Sequence, residues 1–175
     1  LFDNKGNTVN IASTAGDLSA KSVYGGMALS SSSDYVFDNT VNINGAKTKE
    51  IFAGASRGSG AVRNNTVNFN AGSVVNTIHG SDDASNARGN NQGNTLNVNN
   101  ASTQKTAGNI KNFNNLNFDG VTAATNGTLD KAALNLTADA DTNINNAKFK
   151  LNGEEYDVNK DTYGSLNIEE GKEYH

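Results

Sequence analysis

The sequence contains no cysteine, no proline and no tryptophan, and only two histidines among its 175 residues. The absence of cysteine excludes both a disulfide framework and a thiolate zinc site. No apolar run approaches the roughly 18 residues that a membrane-spanning helix requires. The net charge is -4 and the basic residues are scattered. The chain therefore lacks the electrostatic footprint of a protein that binds nucleic acid or an anionic membrane.

Apolar residues are also scarce: they make up 35% of the chain, and the mean hydropathy is -0.59. In a random arrangement this composition favours disorder, whereas a stacked fold needs only a narrow inward stripe in each turn. The most abundant residue is asparagine, with 31 copies, alongside 18 glycines. Asparagine suits tight turns, and stacked asparagines form side-chain amide ladders, so the composition favours a fold with many short corners.

A motif of the form Asn-Thr-Val-Asn-Ile recurs through the first two thirds of the chain. Its copies occupy residues 7–11, 39–43, 65–69, 94–98 and, in shortened form, 115–118. The first apolar positions are separated by 32, 26, 29 and 20 residues, a spacing typical of stacked repeats. The chain also opens on Leu-Phe-Asp-Asn, which echoes residues 36–39 before a repeat. We therefore expect the sequence to be a fragment of a longer protein.

Within each copy, apolar residues alternate with asparagine, which predicts strands with the apolar pair inward and the asparagine outward. The predicted core is Val9, Ile11, Val41, Ile43, Val67, Phe69, Leu96, Val98, Leu116 and Phe118. Placing the copies side by side gives a parallel sheet, whose strands need long crossovers. Because the crossovers show no helical periodicity, the sequence predicts an all-β fold, a parallel β-helix over residues 1–120.

A second strand type lies between the copies. It is predicted to point Val23, Ile51 and Ile78 inward, with a weak further copy at Ile110, and to stack three rings outward about 4.8 Å apart. The three outward rings belong to Tyr24, Phe52 and His79. This column has two interpretations, a sugar-binding aromatic stripe or a purely structural stack between turns.

Polar excursions follow the second-type strands at residues 30–34, 57–60 and 81–93. Insertions in a solenoid project from one face, which is often the binding face. The charged candidates there are Arg57, Asp82, Asp83 and Arg88, and we expect them to form a flexible contact surface. His79 with the two aspartates also resembles a metal or acid–base site, although a solvated turn accounts for the same residues.

The pattern loosens after residue 120, and residues 121–175 are predicted to hold terminal rungs and a C-terminal cap. Residues 134–136 and 166–168 resemble rung strands. Between them, Asn152-Gly153 predicts a hairpin over residues 147–158 with a two-residue turn. That register pairs Lys150 with Glu155, Lys148 with Asp157, Phe149 with Tyr156 and Ala147 with Val158.

The run Ser-Val-Tyr-Gly-Gly-Met-Ala at residues 22–28, followed by Asn-Thr-Val-Asn-Ile-Asn-Gly at 39–45, resembles the passenger repeats of autotransporters, the type V secreted surface proteins of Gram-negative bacteria. Residues 108–118 resemble the segment that closes the repeat array in this family, and residues 141–174 are similar to the passenger end that leads toward the membrane-anchoring domain. The resemblance implies a right-handed parallel β-helix at the cell surface, in adhesion or aggregation. No motif transfers a binding residue.

From these observations we expect a secreted or surface-displayed adhesin or self-association module, without catalysis, cofactor or metal. Its expected partner is a host glycan, a host protein or the same protein on a neighbouring cell, with no nucleic acid and with membrane contact only through a domain outside this sequence. Two alternatives stay open. A polysaccharide lyase or glycosidase needs acidic and basic groups convergent on one groove, and the excursions offer only a small charged cluster for this role, Arg57, Arg63, Arg88, Asp82 and Asp83. A structural stalk needs no ligand.

Overall fold

The computed structural model of the chain describes residues 3–29, 33–99, 103, 105–120, 134–138, 141–144, 147–156, 166–167 and 173–174. Within these residues the strands are β1 (Asn4–Lys5), β2 (Thr8–Ala12), β3 (Asp17–Tyr24), β4 (Met27–Ala28), β5 (Val36–Phe37), β6 (Thr40–Phe52), β7 (Ala55–Ser56), β8 (Val62–Arg63), β9 (Thr66–His79), β10 (Asn91–Gln92), β11 (Thr95–Val98), β12 (Lys105–Lys111), β13 (Asn115–Phe118), β14 (Leu134–Leu136), β15 (Lys148–Leu151), β16 (Glu154–Tyr156), β17 (Leu166–Asn167) and β18 (Glu173–Tyr174), and the helix is α1 (Asp83–Ala87). This helix, in the described part of the chain, is not long and apolar enough to span a membrane.

The strands form a parallel β-solenoid of about four turns, which confirms the predicted fold class. On the first face, the five copies of the repeated motif stack through parallel pairing of β2, β6, β9, β11 and β13. The register aligns equivalent positions, so that Thr40 pairs with Thr66, Val41 with Val67 and Asn42 with Asn68. The number of residues between successive copies of the motif is therefore the number of residues in one turn of the solenoid.

β6 and β9 continue around a corner onto a second face, where β3, β6, β9, β12 and β14 pair in parallel. The corner in β9 contains Gly72, whose φ is +105° and whose Cβ position would lie 2.6 Å from the backbone oxygen of Ala46. Glycine is required there because a side chain would collide with the turn below. Ile110 pairs with Ile78, as the weak second-type copy predicted.

The third side of each turn consists of two short sheets. β4 pairs with β7, and β1, β5, β8 and β10 form a four-stranded parallel sheet. The similarity between the first four residues and residues 36–39 suggests that Asn4 corresponds to Asn39. This prediction is wrong, because Asn4 pairs with Val36. The residues that correspond to Val36–Phe37 are thus Asn4–Lys5.

The core follows the predicted inward positions. Nine of the ten predicted core residues are buried, and Val9 is half-buried. Asn42 and Asn68, their outward neighbours, retain solvent contact. On the second face Ile51, Ile78 and Ile110 are fully buried and Val23 packs against the cluster. The alternation therefore assigned the correct side of the sheet.

Asparagine serves two different columns of the fold. The buried ladder has the buried corner residues Asn39, Asn65 and Asn94 at its centre and ends in the exposed Asn7 and the half-buried Asn114. The exposed ladder consists of the outward strand residues Asn10, Asn42, Asn68, Asn97 and Asn117. In the buried ladder, Asn65 Oδ1 accepts from both the backbone N and the Nδ2 of Asn39, each at 3.0 Å. Asn65 Nδ2 donates to Asn94 Oδ1 and to the Val36 carbonyl, again at 3.0 Å. Each buried amide therefore connects adjacent turns while all its polar atoms are satisfied.

The C-terminal hairpin forms as the sequence predicts. β15 and β16 are antiparallel with Phe149 opposite Tyr156 and Lys150 opposite Glu155. Both turn residues have positive φ, 51° at Asn152 and 83° at Gly153, as a type I′ turn requires. The predicted pairs of Asp157 and Val158 lie outside the described residues.

The hairpin extends the first face, because β15 pairs in parallel with β13. The ring of Phe149 stacks on that of Phe118 with centroids 5.9 Å apart. β16 then reverses direction, so that the parallel stack ends in an antiparallel pair.

The two predicted terminal rungs have different outcomes. β14 is a rung, paired in parallel with β12. The prediction for residues 166–168 is wrong, since β17 pairs antiparallel with β18 rather than joining the parallel stack. The alternating apolar pattern of residues 166–168 is compatible with parallel or antiparallel pairing, because side chains alternate between the two faces of the sheet in both. Ile168 lies outside the described residues.

Candidate functional site

The third excursion is an ordered element rather than the flexible loop expected from its polarity. Asp82 is the N-cap of α1, and its carboxylate accepts hydrogen bonds from Ser85 N at 3.0 Å and from Ser85 Oγ at 2.7 Å. It also accepts one from Ser56 N on the preceding turn, at 2.9 Å. A short polar side chain at an N-cap satisfies otherwise unpartnered backbone donors. Asp82 therefore fastens the excursion to the solenoid.

Arg88 and Asp83 also bind the third excursion to neighbouring turns. The Arg88 guanidinium donates to the Ser56 carbonyl and to Ser85 Oγ, both at 3.1 Å. Asp83 accepts from Asn112 Nδ2 at 2.9 Å and from Lys111 Nζ at 3.1 Å. Burial alone would raise the pKa of Asp83, but the hydrogen bonds from Asn112 and Lys111 and the charge of Lys111 lower it below its usual value. These three candidates have structural partners.

Tyr24, Phe52 and His79 form the predicted column on the second face. The ring centroids are 4.7 Å apart for Tyr24 and Phe52 and 4.1 Å apart for Phe52 and His79, with interplanar angles of 6° and 4°. The rings cover one another face to face, so both faces of Phe52 are occupied. A sugar that packs on an aromatic ring needs an open ring face, and this geometry favours the structural interpretation of the stack.

His79 is buried, which differs from the predicted outward exposure of its ring. Its Nε2 lies 3.4 Å from Glu50 Oε1, and its Nδ1 has no hydrogen-bond partner. Burial lowers the pKa of His79, and the hydrogen bond and charge of Glu50 oppose this shift without cancelling it. A neutral ring that donates from Nε2 leaves Nδ1 as an acceptor, whereas protonation would create a buried N–H without an acceptor.

The contacts of Glu50 do not form a nucleophilic triad. Ser22 Oγ is 3.4 Å from one carboxylate oxygen of Glu50, and His79 is the same distance from the other. The carboxylate therefore lies between the hydroxyl and the imidazole, whereas an activated serine needs the imidazole between them. Within the described part of the chain, no group of three or more His, Asp or Glu side chains is placed to hold a metal ion.

A second cluster, absent from the sequence prediction, lies on the outer side of the four-stranded sheet. We call it the cation–aromatic strip, and it consists of Lys5, Tyr35, Phe37 and Arg63. Lys5 Nζ lies 5.6 Å from the Phe37 ring centroid, and the Arg63 guanidinium lies 5.0 Å from Tyr35 and 5.6 Å from Phe37. These are cation–π distances. Neither cation is within ion-pair distance of a carboxylate among the described residues.

The strip has a sequence signature that follows from the buried ladder. Val36 and Val62 lie three residues before Asn39 and Asn65, and both point into the core. The residues on either side of each valine therefore point outward, which places Tyr35, Phe37 and Arg63 on the surface. These positions lie two and four residues before each asparagine of the buried ladder, so the sequence motif identifies them.

Arg57 completes the surface beside the excursions. Its side chain is exposed, and no side-chain hydrogen bond or ion pair joins it to other described residues. Its backbone N donates to the Ala28 carbonyl at 3.0 Å, so Arg57 lies one turn away from Ala28 and the adjoining Leu29. Leu29 is 70% exposed, the largest exposure among the described large apolar residues. Of the four charged candidates in the excursions, Arg57 is the one whose side chain is exposed and makes no hydrogen bond or ion pair with other described residues.

The fold and these clusters define a parallel β-solenoid with an ordered excursion, a closed ring stack and an open cation–aromatic strip. Comparisons with protein-family models, with curated proteins and with solved structures found no match to this chain.

Proposed function

We propose that this protein is a non-catalytic, surface-displayed adhesive module, as in the autotransporter passengers that its repeats resemble. The observation that carries the proposal is the division of its charged residues. Asp82, Asp83 and Arg88 stabilise the excursion through hydrogen bonds. Lys5 and Arg63 lie over aromatic rings with their charges unpaired among the described residues. The strip thus offers groups that are free to contact a partner.

The partner contacts the cation–aromatic strip, and the exposed Arg57 is a further candidate for contact. Arginine and aromatic side chains are enriched at protein interfaces, because they combine apolar area with directional polar groups. Two cations without carboxylate partners favour an acidic partner, such as an acidic host glycan or an acidic protein segment. A second copy of this chain also qualifies, since its net charge is -4.

Binding by the intact protein tests this proposal. The strip variant carries Lys5→Ala and Arg63→Ala, and the matched control carries Lys21→Ala and Lys47→Ala, two exposed lysines elsewhere on the chain. On arrays of acidic glycans and matrix proteins, and in sedimentation for self-association, we expect the strip variant to bind at least about tenfold more weakly. The control retains wild-type binding, and added salt weakens both.

The rival polysaccharide-degrading enzyme is tested in the same assay through release of reducing ends or unsaturated products. Turnover that Glu50→Gln abolishes would overturn the proposal in favour of catalysis at the Glu50–His79 contact. Equal binding by the strip variant and its control would remove the strip from the proposal. Absence of binding to every acidic partner and to itself would leave the stalk as the better account.

A further inference from the structure

The outer side of the first face carries an ordered array of polar side chains that no part of the proposed adhesive surface uses. Along the exposed ladder, Asn42 Nδ2 donates to Asn10 Oδ1 at 2.7 Å, and Asn68 Nδ2 donates to Asn42 Oδ1 at 2.8 Å. Asn97 and Asn117 continue the same pattern at 2.8 and 2.9 Å. Every amide therefore points in one direction, with a repeat of about 4.8 Å.

Two further columns flank the exposed ladder. On one side lies the threonine column, at positions 8, 40, 66 and 95. On the other side a second ladder joins Asn44, Asn70 and Asn99 through amide hydrogen bonds of 2.8 Å. All of these side chains keep solvent contact. Together we call the three columns the ladder face.

The ladder face has hydrogen-bonding capacity left over. An asparagine amide has two N–H donors and two acceptor lone pairs, and an interior member of a ladder uses one of each along the column. One donor and one acceptor per residue therefore remain for solvent or a partner. Because the ladder hydrogen bonds already fix the amide orientation, a partner does not have to order these side chains on binding.

The charge of the face restricts the partner. The outward residues of β2, β11 and the first-face parts of β6 and β9 are threonine, asparagine and Ala12, without one ionisable group. The nearest charges are Asp119, which follows Phe118 at the level of Asn99, and Lys148 and Lys150 on the hairpin. An apolar partner would leave the amides desolvated and unpaired, and a charged partner would find no opposite charge on these strands. A neutral partner rich in hydroxyl groups satisfies them.

We propose that the ladder face binds a neutral, unbranched polysaccharide that lies along the solenoid axis. A sugar ring in an extended chain is about as long as one turn of the stack is high, so successive rings meet equivalent asparagines and threonines. Each contact is weak, and affinity grows with the number of turns that are engaged at once. This site is separate from the cation–aromatic strip, so a failed binding test at one site leaves the proposal for the other site intact.

Native affinity electrophoresis tests the inference with defined probes: soluble β-1,4-glucan, β-1,3-glucan and mannan in the gel, with sedimentation onto insoluble cellulose and chitin. The ladder variant carries Thr40→Lys and Thr66→Lys, which add charge without removing a ladder amide. The matched control carries Ala20→Lys and Val75→Lys at exposed positions away from the face. A conservative variant, Thr40→Val with Thr66→Val, removes only the hydroxyl groups.

We expect at least one neutral polysaccharide to retard the wild-type protein. The ladder variant should bind at least about fivefold more weakly and the valine variant to an intermediate degree, while the control and the strip variant match the wild type. Failure of every neutral polysaccharide to bind, or equal binding by the ladder variant, would overturn the inference. Ice shaping without polysaccharide binding, or a dimer that the ladder variant dissociates, would also overturn it and assign the face to ice or to a second copy.

Discussion

Asparagine has opposite roles at two positions of the same five-residue motif. The first asparagine is buried at the corner, as at Asn39, Asn65 and Asn94, and the second stands on the outer side of the strand. Period-two alternation correctly places the second outside. It says nothing about the first, because a corner residue belongs to no strand, and its burial depends on the turns above and below.

Substituting Asn65 by Ala should lower the free energy of unfolding by about 2–4 kcal/mol, because it leaves the backbone N–H and one of the two Nδ2 N–H groups of Asn39 buried without an acceptor. Urea denaturation measures this difference. The matched control, Asn68→Ala in the exposed ladder, should cost less than about 1 kcal/mol because water replaces the lost amide contacts. Similar costs at the two positions would contradict the distinction between the ladders.

The burial of His79 makes stability depend on pH. Its native pKa lies below the ordinary value of 6.5, so the unfolded chain binds the proton first as the pH falls. The stabilisation is therefore complete above about pH 6.5 and decreases as the pH falls toward the native pKa. We expect the melting temperature of the wild-type protein to decrease more steeply between pH 7.5 and 5 than that of His79→Phe, which keeps a ring on Phe52. Parallel pH profiles would show that His79 does not titrate differently on folding.

At the scale of elements, the hairpin and the third excursion differ in how far the sequence defines them. The hairpin is specified locally, since Asn152-Gly153 sets the turn and the alternation sets the register. The excursion is specified by contacts with another turn, because Asp82 and Arg88 both bind the backbone of Ser56. A polar segment of this kind is indistinguishable from a solvated loop until its distant partner is known.

Removing residues 141–175 should make the protein aggregate, because it exposes the outer edge of β13 and the ring of Phe118, which Phe149 stacks on. Size-exclusion chromatography and light scattering detect the association. The point variant Phe149→Ala keeps the strand pairing and should cost about 3 kcal/mol, as for other buried phenylalanines. A truncated chain that stays monomeric with the melting curve of the wild type would refute the capping role of the hairpin.

At the scale of the whole molecule, the repeat pattern predicts the parallel stack and its inward residues. It does not predict the third side, where β1, β5, β8 and β10 are only two residues long and show no periodicity of their own. The cation–aromatic strip lies on that side, and it was missed for this reason. The ring stack was predicted, but its closed ring faces depend on interplanar angles that sequence spacing does not contain.

The in-register stacking of equivalent residues is the claim on which the ladders, the strip and both proposals depend. The chain has no cysteine, so engineered pairs report on it without interference. Asn42→Cys with Asn68→Cys places thiols on adjacent turns, with Cα atoms about 4.8 Å apart, within the range that a disulfide spans. Asn42→Cys with Asn117→Cys places them three turns apart, at about 14 Å.

Mild oxidation followed by mass spectrometry of non-reduced peptides compares the two pairs directly. The account predicts an intramolecular disulfide between positions 42 and 68 in high yield and none between positions 42 and 117. Equal yields for the two pairs, or disulfides that form only between molecules, would contradict the stacked register.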